Sequence, residues 1–127
     1  MQSSPQPIPY QGSKRQQVPV ILRYLPKDTA TLWEPFVGSG ALTIGAAASQ
    51  AAEAHVVGDS LAPLVEIWEL ILRAPDELCD RYERLWNAQL ADPRAYYDRV
   101  RDAYNDSPEP AKLLYLIARC VKNAVRF

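Results

Sequence analysis

Cysteine and histidine are both scarce in this sequence of 127 residues. Its two cysteines, Cys79 and Cys120, are isolated from each other, so neither a disulfide framework nor a zinc site is indicated. The single histidine, His55, stands at the start of a short apolar run, where packing or exposure explains it better than catalysis. We therefore expect no metal site.

Long apolar runs are also missing. No run approaches the length of a membrane span, and the N-terminus lacks the basic and then apolar pattern of a secretion signal. We therefore expect a cytoplasmic protein. The apolar fraction of 48% is typical of a globular chain, and the length is enough for one domain of ordinary size.

The sequence has little net charge, −1 at pH 7, which argues against a general nucleic-acid binder. The charges are unevenly distributed, because all charged residues before Asp28 and all charged residues after Glu109 are basic. The two ends are basic and the middle is acidic. A one-sided DNA-binding face and ordinary solvated helix surfaces explain this pattern equally well.

The most informative stretch lies between residues 31 and 59. Residues 31–36 predict a buried strand, the glycines at positions 38 and 40 allow a tight turn, and residues 41–52 predict a helix. A second strand is predicted over residues 55–58, and Asp59 follows it. This order is typical of a nucleotide-binding α/β unit, and Asp59 stands 21 positions after Gly38, about the separation at which an acid meets ribose hydroxyls.

Three motifs add specificity. Glu-Pro-Phe-Val-Gly-Ser-Gly at residues 34–40 resembles motif I of the Dam-like (D12 class) adenine-N6 DNA methyltransferases. Residues 9–15, Pro-Tyr-Gln-Gly-Ser-Lys-Arg, resemble the N-terminal motif of that family, and residues 56–61 resemble its following acidic motif. Residues 116–127 resemble the helix before the family's Asn-x-x-Gly-x-Phe-Asn segment. The three motifs between residues 9 and 61 occur in the family's order and spacing.

The resemblance implies a site for S-adenosylmethionine and a face for double-stranded DNA. The implied cofactor-binding residues are Tyr10, Lys14, Glu34, Pro35, Phe36, Gly38, Gly40, Ala41, Asp59 and Ser60. The implied DNA contacts are Arg119, Lys122, Asn123 and Arg126. The family's catalytic motif, Asp-Pro-Pro-Tyr, occurs nowhere in the chain, so we name no catalytic residue.

Simpler roles exist for several of these residues. The glycines could serve a turn alone, and Asp59 could cap a helix that begins near Leu61. Glu34 is an acid in an apolar strand, so it needs a functional role or a partner. Tyr10 could be a packing residue and Lys14 a solvated one. The basic tail could be a helix end favoured by the helix dipole.

The remaining pattern is helical. Ser13 is a possible cap for a helix to about residue 24, with Pro19 expected to shift, kink or break it. Helices are also predicted from Ala62 to about Arg73, from Pro75, from Asp92-Pro93, and from Ser107-Pro108 with residues 114, 117, 121 and 125 on one face. We divide the chain into a flexible N-terminus (1–9), a Rossmann-like cofactor-binding part (10–73) and a helical part (74–127).

Only two strands are convincing, and two short strands do not form an independently stable sheet. The fold class predicted is therefore α/β, an incomplete Rossmann-like methyltransferase domain with a helical C-terminal half and a sheet completed by another chain. The function predicted is the cofactor-binding subunit or fragment of an adenine-N6 DNA methyltransferase, inactive without a complementary subunit that carries the catalytic motif. The alternative is a non-catalytic methyltransferase fold that binds DNA or protein.

Overall fold

The computed structural model describes residues 5–127, so residues 1–4 of the N-terminus predicted to be flexible lie outside the described residues. The described chain forms two compact units, residues 5–60 and residues 61–127. Within residues 5–127 it contains two strands and six α-helices. The first unit holds α1 (Val18–Ile21), a 3₁₀ turn (Leu22–Tyr24), β1 (Thr31–Glu34), α2 (Ala41–Ala48) and β2 (Ala54–Val57). The second holds α3 (Ala62–Arg73), α4 (Pro75–Ala88), α5 (Pro93–Asp106), α6 (Pro110–Arg119) and a 3₁₀ turn (Val121–Asn123).

The two strands pair in parallel, with Thr31 opposite Ala54 and Glu34 opposite Val57. Helix α2 connects them and packs against both. Leu32, on the covered face, is buried, whereas Trp33, on the opposite face, is 70% exposed. The predicted mixed α/β unit with two strands is confirmed. The predicted buried strand over residues 31–36 is wrong, because β1 ends at Glu34 and Trp33 and Phe36 are largely exposed. The sheet has one covered face and one open face.

Helix α2 lies very close to α1. A Cβ atom built on Gly45 of α2 would be 2.3 Å from Cγ1 of Val18, a distance that no side chain could occupy without moving its neighbour. Val18 is buried in the contact. Glycine at position 45 therefore allows α1 to approach α2.

The first helix begins later than predicted. It starts at Val18, with Gln17 as its N-cap residue and Pro19 in its first turn. Proline has no amide hydrogen and its φ suits a first turn, so the helix starts next to it rather than at Ser13. Helix α2 is also shorter than predicted and ends at Ala48. Gln50 adopts a φ of +53°, and the amide of Ala51 donates back to the carbonyl of Ala46 at 2.9 Å, a pattern that closes a helix C-terminus.

The second unit is built around α6, which packs against α3, α4 and α5. Each of these four helices has proline in its first turn. Acidic side chains cap two of them. Asp92 accepts a hydrogen bond from the amide of Ala95 at the start of α5, and Glu109 accepts from the amides of Ala111 and Lys112 at the start of α6. The predicted helix from Ala62 to Arg73 is confirmed, and Leu64, Ile67 and Trp68 on its apolar face are buried.

Tyrosines form much of the core of this unit. The fully buried ring of Tyr115 meets Tyr96 edge-on at 5.8 Å between centroids, and its hydroxyl donates to Oε1 of Gln89 at 3.1 Å. Tyr104 is buried and stacks on Phe127. Tyr96 and Tyr104 of α5 thus take part in packing within this unit.

The predicted continuation of the last helix is wrong. Helix α6 ends at Arg119, and Val121, which was expected on its apolar face, is 84% exposed. Lys122 and Asn123 both adopt positive φ, and Nδ2 of Asn123 donates to the carbonyl of Ile117 at 2.9 Å. This side chain satisfies one of the carbonyls that a helix end leaves without a partner, so it stabilises the end of α6.

Candidate cofactor site at the glycine turn

The turn after β1 is held in a defined shape. Gly38 and Gly40 adopt φ values of +47° and +64°, in the left-handed region that favours glycine. The amide of Gly40 donates to the carbonyl of Val37 at 2.7 Å, and the amide of Val37 donates to the carbonyl of Gly58 at 2.8 Å. The turn is therefore tied to the end of β2 and leads directly into α2.

Asp59 lies beside this turn. Its Oδ2 atom accepts a hydrogen bond from the amide of Gly38 at 3.1 Å. It does not cap the next helix, because α3 has Leu61 as its N-cap residue and no side-chain cap. Asp59 thus lies where parallel strands end, the edge at which open α/β sheets bind ligands.

Glu34, at the end of β1, faces the first turn of α2. Its Oε2 atom accepts from the amide of Thr43 at 3.0 Å and from the Thr43 hydroxyl at 2.5 Å. A carboxylate near a helix N-terminus is stabilised by the amides and by the helix dipole. The acid in the apolar strand therefore has a partner within its own unit.

The N-terminal motif contacts the glycine turn at two points. The Tyr10 ring lies 3.4 Å from the position that a Cβ on Gly38 would occupy. The hydroxyl of Ser39, which is 5% exposed, donates to the hydroxyl of Ser13 at 2.9 Å. Lys14 itself is exposed.

Sequence reasoning missed Ser13, Ser39 and Thr43 as members of this site. Ser13 was assigned only a helix cap. The signal for Ser39 was its place between two glycines in a turn, where a side chain must point either to solvent or into the site. The signal for Thr43 was its position in the first turn of a helix that follows an acid at a strand end.

Other predicted residues lie apart from these contacts. Phe36 is 81% exposed, and Pro35 and Ser60 are exposed as well. Gly40 is buried and Ala41 is half-buried at the start of α2. The structure therefore brings Tyr10, Gly38 and Asp59 together, while Phe36 points to solvent.

The predicted DNA-contacting residues lie in the helical unit. The Arg119 guanidinium stacks over the Trp86 ring at 5.2 Å, and Asn123 caps α6 as described above. Lys122 and Arg126 are exposed. Two of the four side chains thus make contacts within the unit, and two face solvent.

Neither a metal centre nor a membrane segment is found in residues 5–127. No three histidine, cysteine, aspartate or glutamate side chains converge there, and His55 is half-buried in β2. Burial raises the pKa of the Cys120 thiol, so a smaller fraction of this side chain is present as the reactive thiolate. Within the same range, no helix combines the length and the apolar character that crossing a membrane would require.

Comparison with known families decides the relationship. The model of the D12 class N6 adenine-specific DNA methyltransferases matches residues 10–127. The chain belongs to this family. The match begins at Tyr10, the residue that covers Gly38, and it extends over both units. The resemblance inferred from three motifs is thereby confirmed.

One curated relative of this D12 family member is the modification methylase LlaI of Lactococcus lactis subsp. lactis. The two are 29% identical over 132 aligned positions, which cover all of this chain and 21% of the methylase. The chain therefore spans about a fifth of the length of the relative. No solved structure matches it.

Proposed function

We propose that this chain forms the S-adenosylmethionine-binding part of an adenine-N6 DNA methyltransferase. The observation that carries the proposal is the Asp59 carboxylate bonded to the Gly38 amide at the carboxyl end of two parallel strands. Membership of the D12 family supports the choice of cofactor and of reaction.

The residues at the turn fit such a cofactor. Position 38 has no side chain, and a Cβ there would fill the space in front of the Tyr10 ring. Asp59 offers a carboxylate, which suits the ribose hydroxyls of a nucleoside. The cofactor would supply an electrophilic methyl group, while Gly38 and Asp59 of this chain hold the nucleoside and Glu34 fixes the start of α2.

We further propose that methyl transfer requires additional polypeptide carrying the Asp-Pro-Pro-Tyr motif. In this family, the resemblance implies that this motif holds the target amino group and stacks on the flipped adenine. The motif is absent from the 127 residues, so the chain can bind the methyl donor without being able to place the adenine.

The open sheet supports this second proposal. Parallel sheets are normally buried on both faces, yet Trp33 is 70% exposed and its neighbour Val56 is 38% exposed. An additional polypeptide that completes the sheet would cover this exposed face. A complementary subunit would bury it.

The hydrogen bonds of the strand pair indicate where a further strand would attach. The amide of Ala54 donates to the carbonyl of Ala30, and the amide of Gly58 donates to the carbonyl of Glu34. Since successive residues of a strand direct their backbone groups to opposite edges, those of Thr31 and Trp33 face away from β2. A completing strand would pair with β1 at these two residues.

For DNA, we propose that Arg119, Lys122, Asn123 and Arg126 belong to the face that meets the phosphates of the duplex. The chain from residue 110 onward contains four basic residues and no acid, which supports the proposal. Lys122 and Arg126, being exposed, are the stronger candidates of the four.

The cofactor proposal is tested by isothermal titration calorimetry with S-adenosylmethionine. We expect the wild-type chain to bind and Asp59→Ala to lose binding. Asp59→Asn keeps an oxygen for the Gly38 amide but removes the charge, so it separates the shape of the turn from contact with the ligand. Asp28→Ala, at an exposed turn, is the matched control.

The requirement for a complement is tested by a methyl-transfer assay on adenine-containing duplex DNA. The chain alone should transfer no methyl group. Gentle purification of the tagged chain from its native host should recover a stoichiometric partner with an Asp-Pro-Pro-Tyr motif and restore activity. Methylation by the pure chain would contradict the proposal.

A second function, a non-catalytic platform that binds DNA or protein, also has an observation in its favour. Glu34 already has a bonding partner in Thr43, and the glycine turn is tied to Asp59 and Gly58, so the turn holds its shape without a ligand. In that case Asp59→Ala would change only stability, and the wild-type chain would not bind S-adenosylmethionine.

A further inference from the structure

Residues 10–14 form a strap that lies against the glycine turn. The strap touches the turn through the Tyr10 ring at Gly38 and through the hydroxyl pair of Ser13 and Ser39, with 2.9 Å between the two oxygens. Ser39 is 26 residues from Ser13 in sequence and is buried. The contact is thus a tertiary one, made by side chains that no turn or helix requires.

Both ends of the strap are anchored. Ile8, just before it, is 0% exposed, and Val18, just after it, is buried against Gly45 of α2. Nη1 of Arg15 also donates to Oε1 of Gln6 at 3.1 Å. Between these anchors, the hydroxyl pair of Ser13 and Ser39 is a polar contact that ties the strap to the turn.

We propose that Ser13 and Ser39 are positioning residues for cofactor binding, whose hydroxyl pair holds the strap closed so that Tyr10 forms one wall of the cofactor site. The proposal rests on the proposed function, because it assigns the strap to the same site. Neither serine would touch the reacting atoms. They act through Tyr10.

The physical reason is preorganisation. A wall that is ordered before the ligand arrives does not have to lose conformational freedom on binding, so affinity is higher. Without the hydroxyl pair, the strap would sample open positions, and the apparent affinity would fall by the fraction of time spent open. Loss of one hydrogen bond of about 1 kcal/mol shifts the ratio of closed to open strap about fivefold. In a two-state equilibrium the rise in the open fraction and the fall in affinity multiply to this factor, so for a strap that is open an appreciable part of the time each changes about twofold.

Four variants test the proposal: Ser13→Ala, Ser39→Ala, the double variant and Ser13→Thr. Ser13 is half-buried near solvent, so Thr can keep the hydroxyl there without a clash deep in the core. Ser107→Ala, an exposed serine of the helical unit, is the matched control. Thermal unfolding monitored by circular dichroism identifies any variant that has lost its fold.

The first readout needs no cofactor. Trypsin cleaves after Lys14 and Arg15, within and next to the strap, so its rate at this site measures strap opening. We expect Ser13→Ala, Ser39→Ala and the double variant to be cleaved about twofold faster. The double variant should be no faster than either single one, because both lose the same bond. Ser13→Thr should restore the slow rate.

The second readout is the dissociation constant for S-adenosylmethionine, measured by calorimetry. We expect about twofold weaker binding for both alanine variants and recovery for Ser13→Thr. Unchanged cleavage rates, or unchanged affinity despite faster cleavage, would overturn the proposal. If the wild-type chain does not bind S-adenosylmethionine, both the proposed function and the role of the two serines in cofactor binding are refuted. The cleavage rates then still decide whether the hydroxyl pair holds the strap.

Discussion

The contact between Glu34 and Thr43 permits a quantitative test of how the site is supported. One carboxylate oxygen accepts from both the amide and the hydroxyl of Thr43, at 3.0 and 2.5 Å. Thr43→Val removes the hydroxyl but keeps the branched shape and the amide. Glu34→Ala removes both bonds. The two single variants and the double variant together form a cycle that isolates the side-chain contact.

The expected magnitudes follow from the bonds involved. Hydrogen bonds to a charged group contribute about 1.5–3 kcal/mol, so Thr43→Val should lower the free energy of unfolding by about 1.5 kcal/mol, the low end, since both groups are half-buried. Glu34→Ala should cost about 2–3 kcal/mol, because it also leaves the α2 amide without its cap. The coupling energy between the two sites should be about 1 kcal/mol.

Urea unfolding monitored by far-ultraviolet circular dichroism measures all three free energies. Thr31→Val, an exposed threonine of β1, is the control and should change stability by less than about 0.5 kcal/mol. Additive losses, with coupling below about 0.3 kcal/mol, would refute the role of the contact.

The same proteins distinguish two roles of Glu34 in cofactor binding. If Glu34 acts only by fixing the start of α2, Thr43→Val and Glu34→Ala should weaken S-adenosylmethionine binding in proportion to their losses of stability. Loss of binding in Glu34→Ala with normal binding in Thr43→Val would instead show that Glu34 contacts the cofactor directly.

Three further predictions concern packing, pH and the open sheet. Gly45→Ala should lower the free energy of unfolding by about 1–3 kcal/mol in urea, because its Cβ would lie 2.3 Å from Val18, and Val18→Ala in the same chain should recover part of that loss. Burial raises the pKa of Tyr82, Tyr97, Tyr104 and Tyr115, so the folded state favours their neutral forms. The free energy of unfolding should therefore be constant below about pH 10 and fall above it, and it should fall less steeply in Tyr104→Phe, as urea unfolding from pH 8 to 11 would show. Trp33→Ser should leave the stability of the isolated chain within about 0.5 kcal/mol but reduce recovery of the proposed complementary subunit. Leu72→Ser, at a similarly exposed position of the helical unit, should leave recovery unchanged, and equal recovery with both variants would contradict the docking of a partner on the open face.

Local signals in the sequence predicted much of the fold. Proline in a first turn, followed by apolar residues at helical spacing, located α3, α4 and α5, and Arg73 ends α3 as expected. The same signals failed where side chains from elsewhere decide the boundary. The end of α6 depends on the Asn123 amide reaching back to Ile117, and hydrophobic periodicity carries no information about such a bond.

The candidate site divides in the same way. The separation of Gly38 and Asp59 follows from a strand, a turn, a short helix and a second strand, and the structure brings the two residues into contact. The partner of Glu34 and the pairing of Ser13 with Ser39 depend on how segments come together in space. The acid in an apolar strand did predict that some partner exists, because an unpaired buried carboxylate is costly.

The composition of the open sheet face links the fold to the function. An isolated domain would be expected to place a polar residue at position 33, which faces solvent on a strand of only four residues. Tryptophan there, opposite Val56 and followed by the exposed Phe36, is explained if these side chains are covered in the working protein. The proposed cofactor turn begins four residues after Trp33, at Val37. Polypeptide that covers this face would therefore also reach the carboxyl ends of the strands, where the proposed cofactor would lie. Burial of Trp33 and completion of the active site are therefore expected to be the same event.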